Sequence, residues 1–155
     1  MGIMAKVAII IGSQSDLTLT EGIHKYCDFF GLESEIRILS AHRQPKELTE
    51  YLSHIEASGV QVIIAAAGMA AHLPGVVAAQ TVLPVIGVPL DASPLGGMDA
   101  LYSIVQMPKG IPVGTMAIGQ PGMINAVIFA ARIIALQNQS ISERLKKFQD
   151  QGCKL

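Results

Sequence analysis

Short apolar runs alternate with stretches in which apolar residues recur every three to four positions, and the alternation continues along nearly the whole chain. This is the pattern of a parallel sheet whose strands are joined by helices. Strand one is expected at 6–11. A helical stripe of Leu19, Ile23, Tyr26, Cys27 and Phe30 follows and stops at Gly31. Strand two, 35–39, sets Ile36 and Ile38 on one face and Glu35 and Arg37 on the other, so it is half-exposed and belongs at the sheet edge. Pro45, suited to a first helical turn, opens helix two, which carries Leu48, Tyr51, Leu52 and Ile55 and ends at Gly59.

Strands three (62–66) and four (85–88) are apolar throughout, as central parallel strands are. A small-residue helix at 73–81 joins them. A further helix at 98–105 leads to strand five at 113–118. A long helix at 123–137 presents Val127, Ile128, Ala131, Ile134 and Ala135. Ser140 and Glu143 have capping-box spacing for a last amphipathic helix with Ile141, Leu145 and Phe148. Five strands with the second at an edge predict a three-layer α/β fold of flavodoxin-like order 2-1-3-4-5, with an additional C-terminal helix. At 155 residues, without repeats or linkers, the expectation is one domain, 1–155.

Composition adds two points. Only 15% of residues are charged, against about 25% in an ordinary soluble domain, and the mean hydropathy is +0.45. No Asp, Glu, Lys or Arg occurs from 62 to 90, yet Gly68, Pro74, Gly75, Pro84, Gly87 and Pro89 break that stretch too often for a membrane helix. So much apolar surface on one small domain implies contacts between subunits. The net charge of −1, with Lys146-Lys147 as the only basic run, argues against a nucleic-acid partner. Cys27 and Cys153 form no disulfide framework or metal cluster, and the run at 7–11 lacks a cleavage site behind it. A cytoplasmic homo-oligomer, with no membrane association, is expected.

Two polar clusters interrupt the apolar pattern at equivalent places. Gly12-Ser13-Gln14-Ser15-Asp16 follows strand one, and Ser40-Ala41-His42-Arg43 follows strand two. In an open α/β sheet both lie beyond the carboxyl ends of neighbouring strands, where ligands bind. Ser and Asp are strong helix caps, and one of Ser13, Ser15 and Asp16 is expected to cap the next helix. The same hydroxyls and helix-start N–H groups favour phosphate, whereas Asp16 would repel it and suits sugar hydroxyls.

An isolated histidine is most often structural. His42, however, follows a strand end, carries the ring most often used for proton transfer and has Arg43 beside it. That arginine can grip a phosphate through two hydrogen bonds. His24 and His54 lie off their helices' apolar stripes and read as solvated surface. A third segment, Ala65-Ala66-Ala67-Gly68-Met69-Ala70-Ala71-His72-Leu73-Pro74-Gly75, is nearly free of bulk. Close packing accounts for it; so does a dry wall for a flat ligand, with His72 at a helix start. No nucleotide-binding P-loop, G-x-G-x-x-G, H-E-x-x-H, paired cysteines or G-x-S-x-G occurs. One acid/base group in a shaped pocket, acting on a phosphorylated small molecule without cofactor or metal, fits what remains.

Four motifs together resemble the PurE family of N5-carboxyaminoimidazole ribonucleotide mutases, in order and at matching spacing. They are Gly-Ser-Gln-Ser-Asp (12–16), Ser-Ala-His-Arg-Gln-Pro (40–45), Ala-Gly-Met-Ala-Ala-His-Leu-Pro-Gly (67–75) and Leu-Tyr-Ser-Ile-Val-Gln-Met-Pro-Lys-Gly-Ile-Pro-Val-Gly-Thr (101–115). The resemblance implies reversible carboxylate transfer from N5 to C4 of an aminoimidazole ribonucleotide, without ATP, metal or biotin. It makes His42 the catalytic histidine and Ser13, Asp16 and Arg43 substrate-binding residues. Ser15, Ser40, Gly68, Ala70, His72 and Leu73 would form the surrounding pocket. It also implies a homo-octamer. Met69 departs from the pattern, since many relatives are expected to carry glycine there; pointing inward it would alter the pocket, pointing outward only packing.

Two other functions could use the same fold. The second class of the same family carboxylates aminoimidazole ribonucleotide directly with CO2, but it typically has lysine after the histidine, where this chain has Arg43. A non-catalytic flavodoxin-like binding module fits less. A phospho-receiver needs an Asp where strand three ends in Ala65-Ala66-Ala67, and a flavin carrier stacks aromatics, which are 5% here with no Trp.

Overall fold

The computed structural model describes residues 5–155. Five parallel strands form one sheet: β1 (Ala5–Ile11), β2 (Leu32–Ile38), β3 (Val60–Gly68), β4 (Val85–Leu90) and β5 (Gly114–Thr115). Their order is β2-β1-β3-β4-β5, as the half-exposed second strand predicts. Alternate residues of the central strands feed two separate cores. Val7, Ile9 and Ile11 of β1, with Val62, Ile64 and Ala66 of β3, pack with α1 (His24–Phe30), α5 (Gln120–Ala135) and α6 (Gln139–Asp150). Ala8, Ile10, Ile63, Ala65 and Ala67 face α2 (Pro45–Ile55), α3 (Leu73–Ala78) and α4 (Met98–Val105) on the other side. Each fully buried Ile contributes roughly 1.5–3 kcal/mol, which is why the strands richest in apolar residues occupy the centre.

Several boundaries differ from the sequence reading, each for a local reason. Helix one splits: Gln14–Ile23 is 3-10 and only His24–Phe30 is α. The Thr20 hydroxyl bonds the Leu17 carbonyl at 2.7 Å, and threonines with Gly22 are weak α formers. Gly31 stops α1 as expected, in the left-handed region at φ 71, and turns the chain at once into β2 at Leu32. Strand five shrinks to two paired residues. Met116 and Gly119 donate to Gly87 and Pro89 of β4, so Pro89 faces β5 without an N–H to return. The cap of α6 is Asn138, whose side chain accepts from Ile141 N at 3.2 Å; Ser140 lies inside the helix, and it is Gln139 that pairs with Glu143. Cys27 is buried, and its thiol is pushed up by that burial.

Candidate active site

The carboxyl ends of β1, β2, β3 and β4 open into one cleft of about 500 Å³. Its lining includes Ser13, Ser15, Asp16, Ser40, His42, Arg43, Gly68, Ala70, His72 and Leu73, so every candidate residue of the sequence reading meets in one place. Gly12, Ala41, Ala67, Met69 and Ala92 complete it.

At the end of β1 the capping role falls to Ser13. Its extended backbone (φ −152, ψ 153) turns Oγ to accept from Ser15 N at 3.4 Å, and the Ser15 hydroxyl lies 3.0 Å from the same oxygen. Asp16 N bonds the Ser13 carbonyl at 3.1 Å, and the side chain is carried into the wall, leaving the residue 7% exposed. Burial raises the Asp16 pKa above the usual carboxylate value, while the Ser15 hydroxyl, the Ser13 backbone and the Arg43 charge pull the other way. A buried carboxylate at a helix start is poorly placed for phosphate and well placed to accept from hydroxyls.

The β2 end is a hydrogen-bonded turn built by Ser40 and Gln44. Gln44 N donates to Ser40 O at 2.9 Å, Arg43 N donates to Ser40 Oγ at 3.2 Å, and Ser40 N donates to Gln44 Oε1 at 3.4 Å. Ser40 is buried, and the turn thrusts His42 and Arg43 outward, where both are exposed to the cleft. Arg43 Nη2 reaches back to the Gly12 carbonyl at 3.2 Å and ties the two loops together. That clasp was not legible in the sequence, because it uses a backbone oxygen. The rest of the guanidinium keeps donors for an anion.

The β3 end supplies the dry wall. A Cβ on Gly68 would lie 2.6 Å from the Ala92 Cβ, so only glycine lets the loops after β3 and β4 meet here. Ala92 carries no chemistry that a sequence would flag, and its place after β4 is the one signal available. Met69 has φ +56, a left-handed conformation that costs a non-glycine residue roughly 1–2 kcal/mol. This gives a physical reason for the glycine expected there. Its side chain lines the cleft yet is 59% exposed, so it belongs to the rim.

Beyond Met69, tight turns from Ala71 N to Met69 O and His72 N to Ala70 O bring the chain back over the cleft. His72 then meets His42: Nε2 of His42 lies 2.7 Å from Nδ1 of His72, with the rings edge to face and centroids 4.8 Å apart. The structure thus places His72 on the cleft lining. Its imidazole partner could not be read from residues thirty positions apart.

Among the described residues no three His, Cys, Asp or Glu side chains group to hold a metal ion, and no helix is long and apolar enough to cross a membrane.

The family model described as AIR carboxylase matches residues 6–154. Proteins named N5-carboxyaminoimidazole ribonucleotide mutase are similar throughout. The Vibrio vulnificus protein is 49% identical, covering 94% of this chain and 91% of its own. Those of Escherichia coli K12 and Pyrococcus abyssi are 46% and 48% identical, covering 94% and 95% of this chain and 86% and 83% of theirs. The crystal structure of Treponema denticola PurE superposes with a TM-score of 0.87 at 30% identity, over 96% of this chain and 92% of that one. With the match running from the start of β1 past the end of α6, and so through every wall of the cleft, the chain belongs to the AIR carboxylase family.

Proposed function

We propose that this protein is an N5-carboxyaminoimidazole ribonucleotide mutase, an isomerase of purine biosynthesis that moves a carboxylate reversibly from N5 to C4 of the aminoimidazole ring. The observation that carries the reading is one cleft holding an exposed imidazole, a guanidinium, two serines and a small-residue wall, in a chain nearly half identical to proteins of that name. Protonated His42 gives its proton to N5 as the N5–carboxylate bond breaks and CO2 is released. The CO2 then bonds to C4, and the proton displaced from C4 returns to His42. The cycle is proton-neutral and needs no ATP, metal or other cofactor.

Ser13 and Arg43 hold the phosphate, and Asp16 accepts from the ribose hydroxyls. Ser15, Ser40, Gly68, Ala70, His72 and Leu73 form the rest of the pocket. CO2 is apolar and must be retained between the two half-reactions, a task suited to alanine and glycine walls. Anchoring the phosphate away from the ring keeps C4 in register with His42. Direct carboxylation with free CO2 would use the same fold, but Arg43 after the histidine favours the mutase.

The active form is a cytoplasmic homo-octamer of single domains spanning 1–155. Exposed apolar side chains on α4 (Met98, Tyr102, Val105), together with Val82, Phe129 and Leu136, support association. Incubation of the purified protein with N5-carboxyaminoimidazole ribonucleotide, without ATP, should yield the C4-carboxylated isomer. Light scattering should give eight times the 16.4 kDa chain mass. Turnover only of the uncarboxylated ribonucleotide with bicarbonate would reject the mutase assignment, and a monomer would reject the assembly.

A further inference from the structure

We infer that His72 is a positioning residue for His42: its Nδ1 accepts a hydrogen bond from His42 Nε2 and leaves His42 Nδ1 as the nitrogen that moves the proton. The inference rests on the mutase reading and adds to it which nitrogen works and what aims it.

The contact of 2.7 Å is a short N–H···N hydrogen bond, and the edge-to-face rings fix the His42 plane. Such a contact holds one hydrogen, so one ring donates and the other accepts. Carboxylate transfer decides the direction. His42 must be doubly protonated before N5 takes a proton and singly protonated while C4 waits to return one. With His42 Nε2–H donating to His72, the bond is kept in both states and the proton leaves and returns through Nδ1. With His72 donating instead, protonation of His42 would set two N–H groups against each other, and the pair would break in every turnover.

The charged and titratable side chains lining the cleft are Asp16, His42, Arg43 and His72. Asp16 is sunk in the wall, and Arg43 is turned toward the Gly12 carbonyl. Among these, the His72 ring is the group bonded to the His42 ring. It takes the orienting role that a carboxylate plays behind other catalytic imidazoles. The two rings come from separate strand ends, and the left-handed turn at Met69 swings the second over the first.

Nitrogen-15 NMR of the ligand-free protein, paired with kinetics of His72→Leu and His72→Asn, tests this. Neutral His42 should be the Nε2–H tautomer. In His72→Leu that preference should vanish and kcat should fall roughly 10- to 100-fold, the range seen when the hydrogen-bond partner orienting a metal-ligating imidazole is lost. KM should stay within about threefold, since the phosphate and ribose contacts are untouched. His72→Asn places an amide oxygen near the lost Nδ1 and should restore most of kcat and the tautomer. An Nδ1–H tautomer in the wild type would overturn the inference. So would a Leu variant with normal kcat, or one in which KM rises while kcat holds, which would make His72 a substrate contact. The tautomer is read without substrate, so loss of the mutase reading through an inactive wild type remains distinguishable from loss of the pairing.

Discussion

Two clusters of titratable side chains flank α2, and they differ in what they leave unsatisfied. On one side Glu35 of β2 pairs with Lys6 of β1 at 2.8 Å and accepts from the Tyr51 hydroxyl of α2, while Arg37 lies over the Tyr51 ring with its guanidinium carbon 5.6 Å from the centroid. On the other, at the start of the same helix, His42, His72, Arg43 and Asp16 line an open cleft. In the first cluster the charges answer one another: burial opposes ionisation of Glu35, but Lys6 and Tyr51 outweigh it and hold the carboxyl below its usual range. Burial and the facing carboxylate push the Tyr51 hydroxyl up. The Glu35 carboxylate and the Tyr51 hydroxyl are thus satisfied within the protein. In the cleft, donors and acceptors remain beside a wall too small and apolar to satisfy them. Spare hydrogen-bonding capacity facing a cavity, more than the number of charged groups, separates a site from a staple.

Four substitutions sharpen the contrast. His42→Asn should lower kcat by about 10²–10⁴-fold, the usual share of general acid–base catalysis, with an unchanged denaturation midpoint. Arg43→Ala should act on binding: loss of a charged hydrogen bond worth about 1.5–3 kcal/mol corresponds to a KM raised roughly 10- to 100-fold. Tyr51→Phe should reverse the pattern, with about 1 kcal/mol of stability lost in urea unfolding and kcat/KM unaltered. Near-normal turnover without His42, or a catalytic defect from Tyr51→Phe, would erase the distinction between the clusters.

The smallest effect concerns Asp16. Its pKa is raised in the folded state, so its contribution to stability is full below the ordinary Asp value and is lost as pH rises through the raised one. Asp16→Asn should therefore unfold at higher temperature than the parent at neutral pH. The gain should shrink as the solution is acidified into the ordinary carboxylate range, while substrate affinity falls. A thermal melt series across pH reads this directly, and a gain independent of pH would refute the buried-charge explanation.

The same physics explains what the sequence disclosed. Strand order followed from the alternation of Ile36 and Ile38 with Glu35 and Arg37, because only an edge strand tolerates a polar face. The ten candidate residues fell into one cleft because loops after parallel strands share one end of the sheet. What stayed hidden depends on geometry between distant residues. The shortness of β5 comes from the direction Pro89 faces, and the α6 cap from a choice between Asn138 and Ser140, both good caps. The His42–His72 bond needs the left-handed turn at Met69, a conformation that a methionine does not announce.

In the proposed mechanism carboxylate moves within one bound ribonucleotide, with His42 shuttling the proton. The most direct test converts unlabelled N5-carboxyaminoimidazole ribonucleotide in buffer containing carbon-13 bicarbonate and reads the new carboxylate by mass spectrometry during the first turnovers. Retention of CO2 beside the small-residue wall predicts product carrying mainly the unlabelled carboxylate, at a rate that collapses in His42→Asn. Product labelled to the level of the surrounding bicarbonate would show capture of free CO2 and contradict the account.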